Sequence, residues 1–170
     1  MEGFVYPNEQ EVAWSLLIVL YPYITGLVAG AFVVSSLYHV FGLKALLPVA
    51  RLSLLTSLAF LLVAPLPLLA HLGQPLRSFE IFWTPNLRSA MAGFGYIWLF
   101  YLLIVVLETW LVFREDIVAR AQASQGGPLG LVYRLLALGS YDVSPPAVEA
   151  DHKAIKVQAA GGVPVAFLLH

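Results

Sequence analysis

AWSLLIVLYPYITGLVAGAFVVSSLYHVFGL, residues 13–43, contains no Asp, Glu, Lys or Arg. A helix needs about 20 predominantly apolar residues to cross the hydrocarbon core of a bilayer, so this stretch predicts a transmembrane helix over residues 13–40. A second uncharged stretch runs from Leu52 to Leu76 and is interrupted by Pro65, Pro67 and Pro75. Proline removes backbone donors and kinks or ends a helix, which predicts a second span over about 46–70. A third covers 89–113, with Trp98 and Trp110 along it and one acid, Glu108, near its far end.

The rest of the chain agrees with a membrane environment. Hydrophobic residues make up 60% of the 170 and charged ones only 11%, against about 25% charged in ordinary soluble domains. So little polar surface cannot cover a water-soluble globule, and the excess apolar surface must face lipid. The net charge of -1 comes without a basic patch or a run of like charge, which argues against nucleic-acid binding. Cysteine is absent, so this chain makes no disulfide and ligates no iron–sulfur cluster through thiolate. Its first residues, MEGFVYPNEQE, are acidic where a cleaved signal peptide would be basic, so the first span is expected to remain as an anchor.

Residues 114–156 hold more than half of the charges and the breaker clusters SQGGP and VSPP, which predicts a long extramembrane connection with a short interfacial helix over 128–138. From 157 to 170 the chain is apolar again but too short to span. The expected fold is therefore all-α: a single polytopic transmembrane domain over 1–170, the N-terminal four-helix half of a longer bundle, with a truncated fourth helix at 157–170. Basic loops stay in the cytoplasm. With the N-terminus outside, Lys44, Arg51, Arg114, Arg120, Arg134, Lys153 and Lys156 fall inside and only Arg77 and Arg88 outside, so the N-out orientation is expected.

On that topology the connection HLGQPLRSFEIFWTPNLRS, residues 71–89, is the outer one. It interleaves His71, Gln74, Arg77, Glu80, Asn86 and Arg88 with Leu72, Phe79, Ile81, Phe82 and Trp83, the pattern of a segment that caps or re-enters a bundle. A quinone headgroup needs hydrogen-bond donors at its carbonyls, a proton acceptor and an apolar slot for its tail. His71, Gln74 and Arg77 offer the first two, and Tyr21 and Tyr23 approach from the first helix. The other reading makes Arg77 and Arg88 anchors of helix ends and Trp83 part of the aromatic belt. Gly26 and Gly30 form a GxxxG pair, for which helix packing is the expected use and a slot for an isoprenoid tail the alternative. Glu108 belongs either to a proton path or to an ion pair with Arg114 or the interface. His39, Asp151 and His152 fall on the inner side, the last two as loop residues or as sites of proton uptake. A bis-histidine haem needs two histidines at one depth on facing helices. His39 and His71 lie at opposite faces; depth leaves His39 with His152 or His170 open, but only His39 follows a well-defined helix, and no bound haem or metal is expected.

The strings YPYITGLVAGAFVVSSLYHVFG, residues 21–42, and PLPLLAHLGQPLRSFEIFWTPNLRSAMAGFGY, residues 65–96, resemble the NrfD or polysulfide-reductase membrane-subunit family, closest to the branch of sulfite-reductase-linked and hydrogenase-linked complexes. DHKAIKVQAAGGVPVAFLLH, residues 151–170, is similar too. The most specific element is HLGQPLR, in which Gln74 stands where the family commonly has arginine; Arg77 is the nearest substitute. The resemblance implies eight to ten helices in two four-helix bundles, no cofactor held by this chain, and menaquinone or ubiquinone as substrate. It implies electron exchange with an extracytoplasmic, ferredoxin-like iron–sulfur subunit, in the plasma (inner) membrane of a bacterial-type cell, the chain being one subunit of an oxidoreductase complex. The implied headgroup site comprises Tyr23, His71, Gln74 and Arg77, with His71 as proton acceptor. Asn86 and Arg88 would meet the partner, and Glu108 and Asp151 would be secondary proton-path candidates.

Overall fold

In the computed structural model the described residues are 16–71, 75–84, 86, 88, 90–124 and 127–168, and all the regular structure among them is helical. Helix α1, Leu16–His39, follows the uncharged stretch that predicted it, with Pro22 in its first two turns. It closes at Gly42, whose positive φ of 68° is open to a residue without Cβ and whose N–H bonds Tyr38 O at 2.9 Å. A 3-10 turn over Lys44–Leu46 leads into α2, Leu47–Val63. Pro65 does not end the span. The chain restarts at once as α3, Pro65–His71, with the proline at the first helical position, where a missing N–H costs nothing. Together 44–71 form one membrane-length path ending at His71.

Past His71, a 3-10 turn over Pro75–Phe79 and the short α4, Glu80–Trp83, precede α5, Ala90–Ala123. The expected third helix stopped at 113; α5 continues ten residues further. Charge marks where a helix leaves lipid, not where it stops, and REDIVARAQA has no Gly or Pro. Arg114, Val118 and Ala121 recur at helical spacing on its buried face. After α6, Pro128–Leu136, comes α7, Pro145–Leu168. Its expected start at 157 is also corrected: Pro145 opens it, and the polar sequence EADHKAIKVQ supplies three breaker-free turns before the apolar half. The long connection expected over 114–156 thus reduces to the short segments around 124–127 and 137–144.

Three paths are long and apolar enough to cross a membrane: Leu16–His39, Lys44–His71 and Ala92–Ala123. With α7 they form a four-helix arrangement. Helix α1 packs against α2 and α7, α5 packs against α2 and α7, and α6 lies on α5. The diagonal between α1 and α5 is bridged by rings, Tyr21 on Phe94 at 5.6 Å and Phe32 on Tyr101 at 5.5 Å, both edge-to-face. Val28, Phe32, Leu54, Leu61, Tyr101, Val105 and Ile155 fill the centre. Leu27, Leu52, Leu62, Leu103 and Val106 point outward, as lipid-facing side chains do.

Small residues act where helices meet, though not at the pair singled out from sequence. Gly26 and Gly30 are exposed and a Cβ on either would touch nothing, so the GxxxG pair faces away from the other helices described. Gly162 of α7 is the close approach: a Cβ there would stand 2.6 Å from Phe32 Cζ and 3.2 Å from Ile104 Cγ2. The residues gathered at one end of the bundle, around Lys44, Arg51, Arg114 and Asp151, make it the basic end; His71, Arg77 and Arg88 mark the opposite end.

Candidate functional site

At the Arg77 end, α3, the 3-10 turn over Pro75–Phe79 and α4 carry the polar cluster. His71 closes α3 and is exposed. Gln74 lies outside the described residues. Arg77 is exposed, with Nε 3.9 Å from Glu80 Oε1 three residues on. The segment is fixed to the bundle through α4: Tyr96 Oη donates to Ile81 O at 3.2 Å and Phe82 meets the Tyr96 ring edge-on. A Cβ at Gly95 would meet Ile81 Cδ1, so a larger residue there would push the Ile81 side chain of α4 aside. Asn86 Oδ1 accepts from the Arg88 N–H at 3.1 Å, a local turn that leaves both side chains on the surface. Leu76 and Trp83, 83% and 82% exposed, give this end an apolar and aromatic rim of the kind found at membrane–water interfaces.

The two tyrosines of α1 part company. Tyr23 is 64% exposed and faces out of the bundle, whereas Tyr21 is buried against Phe94, its hydroxyl without a partner among the described residues. By sequence alone both residues have the same depth; the helical phase set by Val28 and Phe32 turns Tyr21 inward. His71 and Arg77 thus share one end of the molecule, while Tyr23 is directed away from the core between the helices.

The basic end is built more tightly. Arg114, 6% exposed, bonds Asp151 of α7 through Nη1 and donates through Nη2 to Ser140 Oγ and Asp142 O, both at 2.7 Å, with its guanidinium over the Trp110 ring. Trp110 Nε1 donates to Leu136 O at 2.8 Å. One arginine thereby ties α5 to α7 and to the turn between α6 and α7. The Ser144 backbone N–H bonds Asp142 Oδ1 at 2.9 Å and holds that carboxyl below the usual aspartate range. Nearer the solvent Arg51 of α2 pairs with Asp116 of α5 at 2.8 Å and lies over Phe113.

Glu108 is not paired with Arg114. Its side chain is fully buried, and neither carboxylate oxygen has a partner among the described residues. About one turn further along α5, a cavity of 280 Å³ opens at the basic end, lined by His39 on α1, Lys44 and Arg51 around the start of α2, Glu115 on α5, and Asp151 and His152 on α7. The sequence placed His39 on this side without giving it a role. Its signal was the spacing of seven from Phe32, which sets both on one face of α1. His170 lies outside the described residues, and no cluster of three His, Cys, Asp or Glu residues fit to hold a metal occurs among those described.

The model of the NrfD polysulphide reductase family matches residues 5–170. The chain belongs to the NrfD family. Two of its relatives are the C subunit of the selenate reductase of Mesobacillus selenatarsenatis and a protein of Halobacterium salinarum provisionally named as the membrane C subunit of a dimethyl sulfoxide reductase. The first is 33% identical over 93% of this chain and 38% of its own length, the second 36% identical over 64% of this chain and 25% of its own. This NrfD-family chain therefore spans well under half the length of either. No solved structure matches it.

Proposed function

We propose that this NrfD-family chain belongs to the membrane subunit of a multisubunit reductase complex and exchanges electrons between membrane quinol and an iron–sulfur partner subunit. What carries the reading is family membership together with a polar cluster, His71 and Arg77, on short helices that close one end of a membrane bundle. The relatives bear the names of reductase subunits, which supports a role beside other redox subunits. The chain holds no cysteine to ligate a cluster of its own, so the electrons would pass to centres in a partner. In this reading His71 accepts the quinol hydroxyl proton, and Gln74 and Arg77 orient the headgroup, with Tyr23 at its lipid-side edge. The surface at Asn86 and Arg88 meets the partner. Menaquinone or ubiquinone is the substrate, and the membrane is the plasma membrane of a bacterial-type cell with the N-terminus outside. Glu108 and Asp151 are the candidates for a proton path.

A purely structural anchor for the redox partner is the second reading, favoured by the exposure of His71 and Arg77 and the outward direction of Tyr23. Quinol-dependent electron transfer in the assembled complex separates the two. With the amount of each subunit checked by gel, His71→Ala is expected to abolish most turnover while assembly continues, because a positioned general base contributes about 10²–10⁴-fold. Unchanged turnover would overturn the headgroup site and leave the anchor.

A further inference from the structure

Helices α1 and α5 run parallel across the bundle diagonal, since Tyr21 meets Phe94 and, further along both helices, Phe32 meets Tyr101. His39 lies seven residues beyond Phe32, and Glu108 seven beyond Tyr101. Seven residues are close to two turns, about 10 Å of rise, and return a side chain to almost the same face. His39 and Glu108 therefore lie on the interior faces of α1 and α5 near the same end of the bundle, His39 on a wall it shares with Leu111 and Val112 and Glu108 about one turn further in. Both are orphaned: His39 Nε2 and the two Glu108 oxygens are buried without a partner among the described residues. Buried ionisable groups in membrane spans are costly, and when kept they face a partner or a water-filled cavity.

The cavity at the basic end reaches His39 and stops about one turn short of Glu108. His39 forms part of its wall, and so do Leu111 and Val112, the residues one turn beyond Glu108 on α5. The charged groups facing it are Lys44 and Arg51 from the start of α2, Glu115 from α5, and Asp151 and His152 from α7. Arg51 is engaged by Asp116, and Asp151 by Arg114. Asp151 is held by the Arg114 pair, which leaves His39 Nε2 as the buried group on this wall without a partner among the described residues. The hydroxyl of Ser35, one turn before His39, and Gln158 Oε1 on α7 are likewise buried without a partner among the described residues.

We propose that His39 and Glu108 form a water-bridged proton relay loaded from the basic-end cavity. A proton from cavity water adds to His39 Nε2; the imidazolium passes it through bridging water to a Glu108 carboxylate oxygen, which restores the neutral imidazole and leaves a carboxylic acid. The proposal deepens the proton-path part of the reading above and does not depend on the headgroup site at the other end.

The test is deuterium exchange of the Glu108 carboxyl, followed by infrared spectroscopy on the full complex in lipid vesicles after a switch to heavy water. The Glu108 band is the exchanging carboxyl band lost in Glu108→Gln. His39→Asn keeps a polar side chain that does not titrate, and it is expected to slow that exchange about a hundredfold, the usual worth of a positioned acid–base group. A second arm leaves the relay residues intact. Leu47→Cys on the cavity wall gives this chain its one thiol, and reaction with a membrane-impermeant cationic thiol reagent is expected to slow the exchange to a similar degree. If His39→Asn fails to assemble, the Leu47→Cys arm decides. Exchange at the wild-type rate in the blocked Leu47→Cys complex, or no carboxyl band lost in Glu108→Gln, would overturn the relay. Quinol turnover in permeabilised vesicles, measured alongside, reports the headgroup site separately, so failure of either reading is visible without the other.

Discussion

At the scale of single residues the deciding quantity is how close neighbours come. Gly162 and the pair Gly26 and Gly30 are all helical glycines, yet only the first is hemmed in, by Phe32 and Ile104. Gly162→Ala is expected to destabilise the bundle by about 1–3 kcal/mol, the usual cost of overpacking a fitted core. Gly26→Ala and Gly30→Ala, with open space around the new methyl, are expected to be neutral or to stabilise by up to about 1 kcal/mol through helix propensity. Midpoints of thermal unfolding in detergent check the order; a Gly162→Ala midpoint above that of Gly26→Ala would contradict the packing described. The same logic of phase separates Tyr21 from Tyr23. They are adjacent in any reading of the sequence by depth, and only the rotation of α1 about its axis buries one and exposes the other.

Between elements, two ion pairs join helices at the basic end and differ in worth. The Arg51–Asp116 pair joins α2 to α5 with both side chains about half exposed. Exposed pairs contribute about 0–1 kcal/mol, so Arg51→Ala is expected to shift stability only slightly. The Arg114–Asp151 pair joins α5 to α7 with side chains 8% and 16% exposed. Removing one partner of a buried pair leaves the other uncompensated, at about 3–5 kcal/mol. Arg114→Ala is therefore expected to destabilise several-fold more than Arg51→Ala, and Asp151→Asn to recover part of the Arg114→Ala loss, as a double-mutant cycle in detergent would measure. Equal effects of the two arginines would contradict the burial described. That α5 reaches Ala123 and α7 begins at Pro145 is what makes the second pair possible, because both of its residues lie in turns that a charge-based reading assigns to a loop.

For the whole molecule the open quantity is which end faces the cytoplasm. Seven of the nine Lys and Arg residues fall on the side with Lys44 and Arg114, and two on the side with Arg77. Because residues 1–170 hold no cysteine, a thiol introduced among them is the one labelling site within this stretch. Arg88→Cys is expected to react with an impermeant thiol reagent added to intact cells and Lys153→Cys only in inverted membrane vesicles; the opposite pattern would reverse the orientation and place the cavity at His39 outside. Much of this architecture was legible in the chain. The uncharged runs 13–43 and 52–76, and the nearly uncharged run 89–113, suffice for three membrane helices, because the cost of placing charge and unpaired backbone in lipid admits no other structure for them. The polar cluster at 71–88 stood out because polar side chains beside a proline-broken span are uncommon. What the sequence could not settle is azimuth and the length of helix beyond the membrane. A uniformly apolar helix has no polar face to announce which side packs inward, so only the packed bundle decided that Tyr21, Glu108 and His39 face the interior. Outside the lipid, where water satisfies any backbone equally well, only tertiary contact to Arg114 and its neighbours decided that α5 and α7 continue as helices.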